Sequence, residues 1–313
     1  MARLTLLLPA RDRFAGIALP AALAQALGRA DDVPGQPGEQ AQLSRHFRLV
    51  PDHWSAAALS RLADAGREDA QASAWLRADP AHIRPDINGA RLLATGDSLS
   101  IGPADVEAFL PALRPLFGDA GFLLDAPDPA RWYLRLPREA KLPDFAPPEA
   151  ALGEDVFDHT PEGPLARRWR TLLSEAQVVL HNHPRNAERA QAGLVSVNSL
   201  WFWGAGVLPD NVAGECPKLF SEDPVLLGLA AAGSVEAMPR ACFPGFGSVA
   251  DHVLVDLRDA RDPGRLIEHW LQPALAVARK GQVVFDLADG QSFALQSSQR
   301  WRFWRRPRTM LAP

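Results

Sequence analysis

A chain of 313 residues with 47% hydrophobic and 22% charged side chains has the makeup of a folded globular protein, and its length suits one large α/β domain or two lobes. A formal charge of −4 argues against a general nucleic-acid binder, and two cysteines are too few for a disulfide framework. Cys216 and Cys242 match no zinc spacing and have no histidine close by in sequence, so both are expected to be buried structural thiols. The apolar run Leu4–Leu8 is too brief for an export signal and its arginines, Arg11 and Arg13, lie on the wrong side. The later run Val225–Ala232 falls far below the roughly 20 residues that span a bilayer, so the expectation is a cytoplasmic chain with no membrane contact.

In chain order, Leu4–Leu8 predicts a strand, Pro20–Leu27 a helix, Asp31–Gln40 a polar loop and Trp54–Ala65 a second helix. Trp75–Arg84 places a turn at Asp79-Pro80, with His82 and Arg84 in solvent in preference to lining an anion pocket. A helix over Pro103–Phe117 has proline in its first turn, Asp105 and Glu107 near the positive end of its dipole and Gly118 to close it. Short strands follow at Gly121–Asp125 and Trp132–Leu136. The proline-rich Pro137–Glu154 then reads as a linker between an N-terminal lobe, 1–140, and a C-terminal lobe, 151–313.

In the second lobe Leu165, Trp169, Leu172, Leu173, Ala176 and Val179 recur at helical spacing within Pro164–Leu180. His183 precedes Pro184, so the helix should stop there; Pro184 opens a short helix with Gly193 beyond its end. A strand over Val195–Trp203 runs into Gly204-Ala205-Gly206. Further on come a strand at Val253–Asp256, a helix from Asp262 to Lys280 ended by Gly281, and two strands flanking the hairpin pair Asp289-Gly290. Strands alternating with helices indicate an α/β fold whose mixed sheet is flanked by helices and closed by a hairpin.

The richest segment for chemistry is Leu180–Pro209. His181, His183, Asn186, Arg189 and Asn198, with the turn glycines Gly204 and Gly206 at a strand's carboxyl end, supply imidazoles, amides, a guanidinium and approachable backbone N–H groups. Together these could bind an anion such as the phosphate of a small metabolite. The competing reading is ordinary capping by Asn and His, with the strand's tryptophans in the core. Gly-Ala-Gly is a weak dinucleotide signal here, because Pro209 stands where a third glycine and a helix should follow.

The run HNHPRNAERAQAG…VNSLWFWGAG…LP, with AWLRADPAHIR at Ala74–Arg84 and RWYLRL at Arg131–Leu136, resembles the RpfE-type regulatory proteins of proteobacteria. Its His-Pro-x-Asn…Arg…Gly…Asn…Gly-x-Gly pattern is also similar to a segment of archaeal-type cofactor-independent phosphoglycerate mutases, of the alkaline-phosphatase superfamily. The resemblance implies a reduced alkaline-phosphatase-like sandwich, with His183, Asn186, Arg189, Asn198, Gly204 and Gly206 as ligand-contacting or loop-shaping positions. Such mutases use two metal ions, manganese or zinc for instance, and a Ser or Thr nucleophile. Where an aspartate should follow the first strand at once, Leu4–Leu8 runs into Pro9-Ala10-Arg11 with Asp12 only afterwards and no Asp-Gly pair, and only Asp97-Ser98 and Asp251-His252 echo the remainder. The expectation is therefore a regulatory, non-catalytic protein without cofactor. The alternative is a metal-dependent phosphoglycerate mutase or phosphohydrolase.

Arg300–Arg308 interleaves five arginines with Trp301, Phe303 and Trp304. Arg300, Trp301, Trp304 and Arg305 are the expected contacts with a protein partner, since Trp and Arg are enriched at interface hot spots. The rival is a last strand whose aromatics pack inward while its arginines stay in water.

Overall fold

The computed structural model describes residues 2–87 and 89–312. In chain order the strands are β1 (Arg3–Leu8), β2 (Asp31–Pro34), β3 (Phe47–Val50), β4 (Ala74–Asp86), β5 (Gly89–Thr95), β6 (Leu123–Asp128) and β7 (Arg131–Leu136). They continue with β8 (Ser199–Gly206), β9 (Asn211–Gly214), β10 (Lys218–Phe220), β11 (Glu236–Met238), β12 (His252–Asp256), β13 (Gln282–Leu287) and β14 (Gln291–Gln296). Two compact units result, Met1–Asp52 with Asp210–Pro313, and His53–Pro209. This corrects the expected split into 1–140 and 151–313. A parallel pair cannot be closed by a hairpin, and β1 finds both of its neighbours, β12 and β13, at the far end of the chain.

The first unit carries a sheet in the order β11-β10-β12-β1-β13-β14-β2. The first five strands are parallel, and β14 returns antiparallel through Asp289-Gly290, with Gly290 at φ +91 as the hairpin requires. From Leu4 onward every residue of β1 is buried, as expected of a strand covered on both faces. Leu4, Leu6 and Leu8 pack with Leu23 and Leu27 of helix Ala21–Arg29 and with Ala274 and Val277 of helix Gln272–Ala278. The helical run expected from Asp262 is present, capped by the Asp262 carboxylate on the Arg265 amide. Its π-turn at Ile267–Leu271 falls just before Pro273, which has no N–H to donate. The loop expected over Asp31–Gln40 is structured at both ends. It contains β2, an edge strand where Pro34 is tolerated, and it leads into the helix Glu39–Ser44.

The second unit is an antiparallel sheet in the order β5-β4-β7-β6, with β8 also paired to β4. The turn expected at Asp79-Pro80 is instead the middle of the 13-residue strand β4. On one side β4 pairs with β7 through Arg77 and joins β5 only from Ala81. Pro80 therefore sits where that side has no ladder, the setting in which a strand accepts proline. Ala74, Leu76 and Ala78 join a core with Phe109 and Leu113 of helix Pro103–Asp119 and with Trp169 and Leu172 of helix Ala166–His181. Trp75, Arg77 and Asp79, one residue out of phase, belong to the opposite face by the two-residue period of a strand. There Arg77 donates to Ser60 of helix Ala56–Ala65. Pro137–Glu154 is no linker between lobes. It lies wholly within this unit and includes the short helix Pro148–Ala151.

Candidate functional site

The residues of Leu180–Pro209 lie close together, but most of their polar atoms are spent on the chain itself. The Asn186 amide donates to the carbonyls of Leu180 and Val197 and accepts the Val197 N–H, tying the short helix Arg185–Gln191 to the entry of β8. Asn198 brackets Ile83, accepting its N–H and donating to its carbonyl, each at 2.8 Å, and so replaces a rung of the ladder. Arg189 is 1% exposed. Its guanidinium donates to the Val195 carbonyl at 2.9 Å, the Leu99 carbonyl at 2.6 Å and Asp105 Oδ2 at 2.6 Å.

His183 is half-buried, accepts the Arg185 N–H through Nδ1 and lies against Phe109, while His181 is exposed on the helix end. Gly204 has φ +68, and a Cβ there would lie 2.9 Å from Ala56 Cβ. At Gly206, with φ +145, a Cβ would come within 2.5 Å of His53 Nε2. Both glycines thus allow close packing against the segment His53–Ala57. His82 Nδ1 lies 3.0 Å from the Ser196 carbonyl, so this half-buried ring is not free in water as expected. Arg77 and Asp79 form a buried bidentate pair, both bonds 2.8 Å, with Trp203 Nε1 donating to Asp79. Burial pushes the Asp79 carboxyl up against the pull of Arg77.

A second gathering of functional groups lies where the parallel strands of the first unit end, the place where open α/β sheets hold ligands. Register sets Asp256 of β12 and Asp286 of β13 opposite Leu7 of β1, one on each side, so their side chains share a face. Ser221, just after β10, donates to Asp256 Oδ2 at 2.9 Å. Over this end lies the helix Glu39–Ser44, where Glu39, Gln42 and the capping Arg45 recur at every third position. Gln42 donates to the Leu8 and Asp286 carbonyls, Arg45 grips Asp286 with Nε and Nη2, and His46 Nε2 lies 2.6 Å from the same carboxylate. Arg258 takes both oxygens of Asp256 and reaches Glu39. Arg240 binds Asp259, and Arg11, in the Pro9-Ala10-Arg11 run after β1, pairs with Asp289.

The two divalent ions implied by that resemblance do not fit this donor set. A two-metal centre needs carboxylate and imidazole donors open towards one point. Here Asp256 and Asp286 are turned towards guanidinium groups. His252 stands at the opposite, amino end of β12, held between Thr5 and the Glu215 carbonyl, and burial keeps its pKa low. Asp97-Ser98 belongs to the other unit, in a turn where Ser98 Oγ is engaged with Thr95.

The tail inverts the strand reading. Three of its five arginines are fastened to the chain: Arg302 to the Arg29 carbonyl and Asp31, Arg305 to the Ala30 carbonyl, Arg308 to Asp32. Its aromatics face water, with Trp301, Phe303 and Trp304 at 65%, 77% and 68% exposure. The Arg300 guanidinium lies over the Trp301 ring. Of the cysteines, Cys216 is buried as expected, and its thiol is pushed up to about 11, whereas Cys242 is exposed at the end of the short 3-10 helix Arg240–Cys242 and corrects the expectation for it.

No family model matches the chain. Part of it is similar to cofactor-independent phosphoglycerate mutases. A probable 2,3-bisphosphoglycerate-independent phosphoglycerate mutase of Geobacter sulfurreducens is 40% identical over 63 residues, 20% of this chain and 16% of that protein. The 2,3-bisphosphoglycerate-independent phosphoglycerate mutase of Methanothrix thermoacetophila is 35% identical over 63 residues, again 16% of its length. The likeness thus spans about a sixth of these curated relatives.

Across nearly the whole chain the fold is shared with the PH0037 protein of Pyrococcus horikoshii. The TM-score is 0.51 at 13% identity, covering 94% of this chain and 87% of that one. The cofactor-independent phosphoglycerate mutase of Thermoplasma acidophilum aligns over 95% of this chain and 90% of its own, with a TM-score of 0.45 and 16% identity. The mixed α/β class anticipated from the sequence is the one the chain adopts. Among the described residues no helix is long and apolar enough to cross a membrane.

Proposed function

We propose that this chain is a non-catalytic regulatory protein on a phosphoglycerate-mutase-like scaffold, working through a protein partner that contacts Arg300, Trp301, Trp304 and Arg305. One observation carries the reading. The carboxyl end of the parallel sheet is filled by the chain's own helix Glu39–Ser44 and by Arg45 and Arg258, which neutralise Asp286 and Asp256. A substrate phosphate or a metal ion entering there would have to displace buried, charge-assisted hydrogen bonds, each worth about 1.5–3 kcal/mol. A phosphorylated metabolite at the His181–Gly206 segment would likewise have to break the bonds of Asn186, Arg189 and Asn198 to the backbone. The tail supports the partner half of the reading: fixed arginines hold aromatics outward at little entropic cost on binding.

The reading is tested by incubating the purified chain with 3-phosphoglycerate, with and without manganese. The expected result is no interconversion with 2-phosphoglycerate and no stoichiometric metal uptake. The alternative, a metal-dependent mutase or phosphohydrolase, draws on the 40% identity to the Geobacter protein. Turnover with two bound equivalents of manganese or zinc would establish it.

A further inference from the structure

Within the second unit, the helix Ala166–His181, the strand β8 and the turn His159–Pro161 surround a hollow that opens to solvent. Counted with its open mouth it measures about 360 Å3, and the closed part suits one ring or a short branched chain, not a nucleotide. Phe145, Trp169, Trp201 and Phe202 give it aromatic walls, together with Leu173 and Leu200. These walls are held against folding inward. Phe145, Trp169 and Phe202 meet one another edge to face, with ring centroids 5.4, 5.4 and 6.1 Å apart, and Trp201 Nε1 donates to the Ala146 carbonyl at 2.9 Å. Thr160 Oγ1 donates to the Val156 carbonyl and Arg170 Nη1 to the Pro161 carbonyl at 3.1 Å, which ties the turn back onto the helix. Water in such a hollow faces mostly carbon, so its release by an entering apolar group is favourable.

Two features of the lining say what should accompany that apolar group. The exposed Arg170 is steadied by its bond to Pro161, and its other N–H groups have no partner among the described residues. Trp169 is 3% exposed, yet its indole N–H also has no hydrogen-bond partner among the described residues, whereas buried donors ordinarily find one. Both call for an oxygen acceptor, and a guanidinium favours a charged, planar one such as a carboxylate. Among the described residues no Asp or Glu lines the hollow to oppose it.

We propose that this hollow is a binding site for a small hydrophobic monocarboxylate, its ring or branched chain held among Trp169, Trp201 and Phe202 and its carboxylate on Arg170. Aromatic walls alone would also suit a quaternary ammonium ion; the guanidinium in the lining decides against it. The site shares no residue with the end of the parallel sheet or with the Arg300–Arg308 tail, so it stands independently of the non-catalytic reading.

The test measures affinities of the full chain for sodium benzoate, benzyl alcohol and benzyltrimethylammonium chloride by saturation-transfer NMR, as wild type, Arg170→Gln and Leu173→Trp. Wild type should bind benzoate with a Kd below about 1 mM, a range open to a ligand of this size, and benzyl alcohol more weakly. The ammonium ion should not bind. Arg170→Gln should weaken benzoate about five- to tenfold, the share of one exposed charge-assisted hydrogen bond, while benzyl alcohol changes by less than about twofold. Leu173→Trp, which fills the hollow, should remove both. Arg170 is exposed, so its variant should fold even if the larger Leu173→Trp does not, and Arg170→Gln then decides by itself. No benzoate binding in that range, a benzoate Kd unchanged by Arg170→Gln, equal loss of benzoate and benzyl alcohol in that variant, full benzoate binding by a folded Leu173→Trp, or a preference for the ammonium ion would each overturn the proposal.

Discussion

Arg189 separates a scaffold role from a ligand role more sharply than any other residue of the Leu180–Pro209 segment. Its side chain has no solvent exposure, and its partner Asp105 has 3%. Arg189→Met removes three hydrogen bonds and strands the buried Leu99 carbonyl away from water. Asp105 keeps the Arg185 guanidinium and the Gly102 N–H, so its charge is not left wholly alone. Breaking one member of a buried pair costs about 3–5 kcal/mol, and the methionine stem restores little of it, so we expect a loss near 3–4 kcal/mol. Urea unfolding followed by tryptophan fluorescence should show the midpoint fall with the m-value unchanged. A ligand-binding arginine at a surface would cost within about 0.5 kcal/mol. A measured loss below about 1 kcal/mol, with the fold intact, would refute the scaffold assignment.

Gly206→Ala should destabilise by about 1–3 kcal/mol in the same assay, because the new methyl meets His53 and Ser55 at a positive φ. Burial alone would raise the Asp105 carboxyl, but the Gly102 amide and the Arg185 and Arg189 guanidinia outweigh it and hold its pKa below the usual 3.8. A depressed folded pKa gives stability that is present above about 3.8 and lost as pH falls through the folded value. Asp105→Asn should therefore weaken the protein at pH 7 and progressively less towards pH 3 in thermal melts. Cys242 should react promptly with an aromatic disulfide reagent, and Cys216, buried with its thiol pushed up to about 11, only on unfolding. Replacing Trp301 and Trp304 by serine should leave stability within about 0.5 kcal/mol, since both are largely exposed, while abolishing capture of the partner in pull-downs.

Most elements were legible because their signals are local. Apolar spacing marks the helix Ala166–His181, Pro103 its helix start, and Asp289-Gly290 the hairpin. The failures share a different origin. The division into units turns on β1 pairing with strands some 250 residues away, which no local pattern encodes. Asp79-Pro80 reads as a turn in sequence, yet it lies inside β4 because Arg77 and the Asp79 carboxylate satisfy each other and an interrupted ladder accepts the proline. Asn186, Arg189 and Asn198 were recognisable as unusual polar residues, but whether their hydrogen bonds go to a ligand or to the backbone depends on β4 and β8 being adjacent. The cluster at the end of the parallel sheet went unseen because Glu39 closes a Pro/Gly-containing stretch that reads as loop, and Gln42 and Arg45 follow it directly. Their three-residue spacing was the signal that could have exposed it.

The most direct trial of the closed sheet end is an anomalous-scattering map from crystals of the full chain grown in manganese. The account predicts guanidinium density between Asp256 and Glu39 and no anomalous peak beside Asp256 or Asp286. Two peaks about 3.5–4 Å apart, seated on those aspartates with Arg258 and Arg45 swung aside, would contradict it.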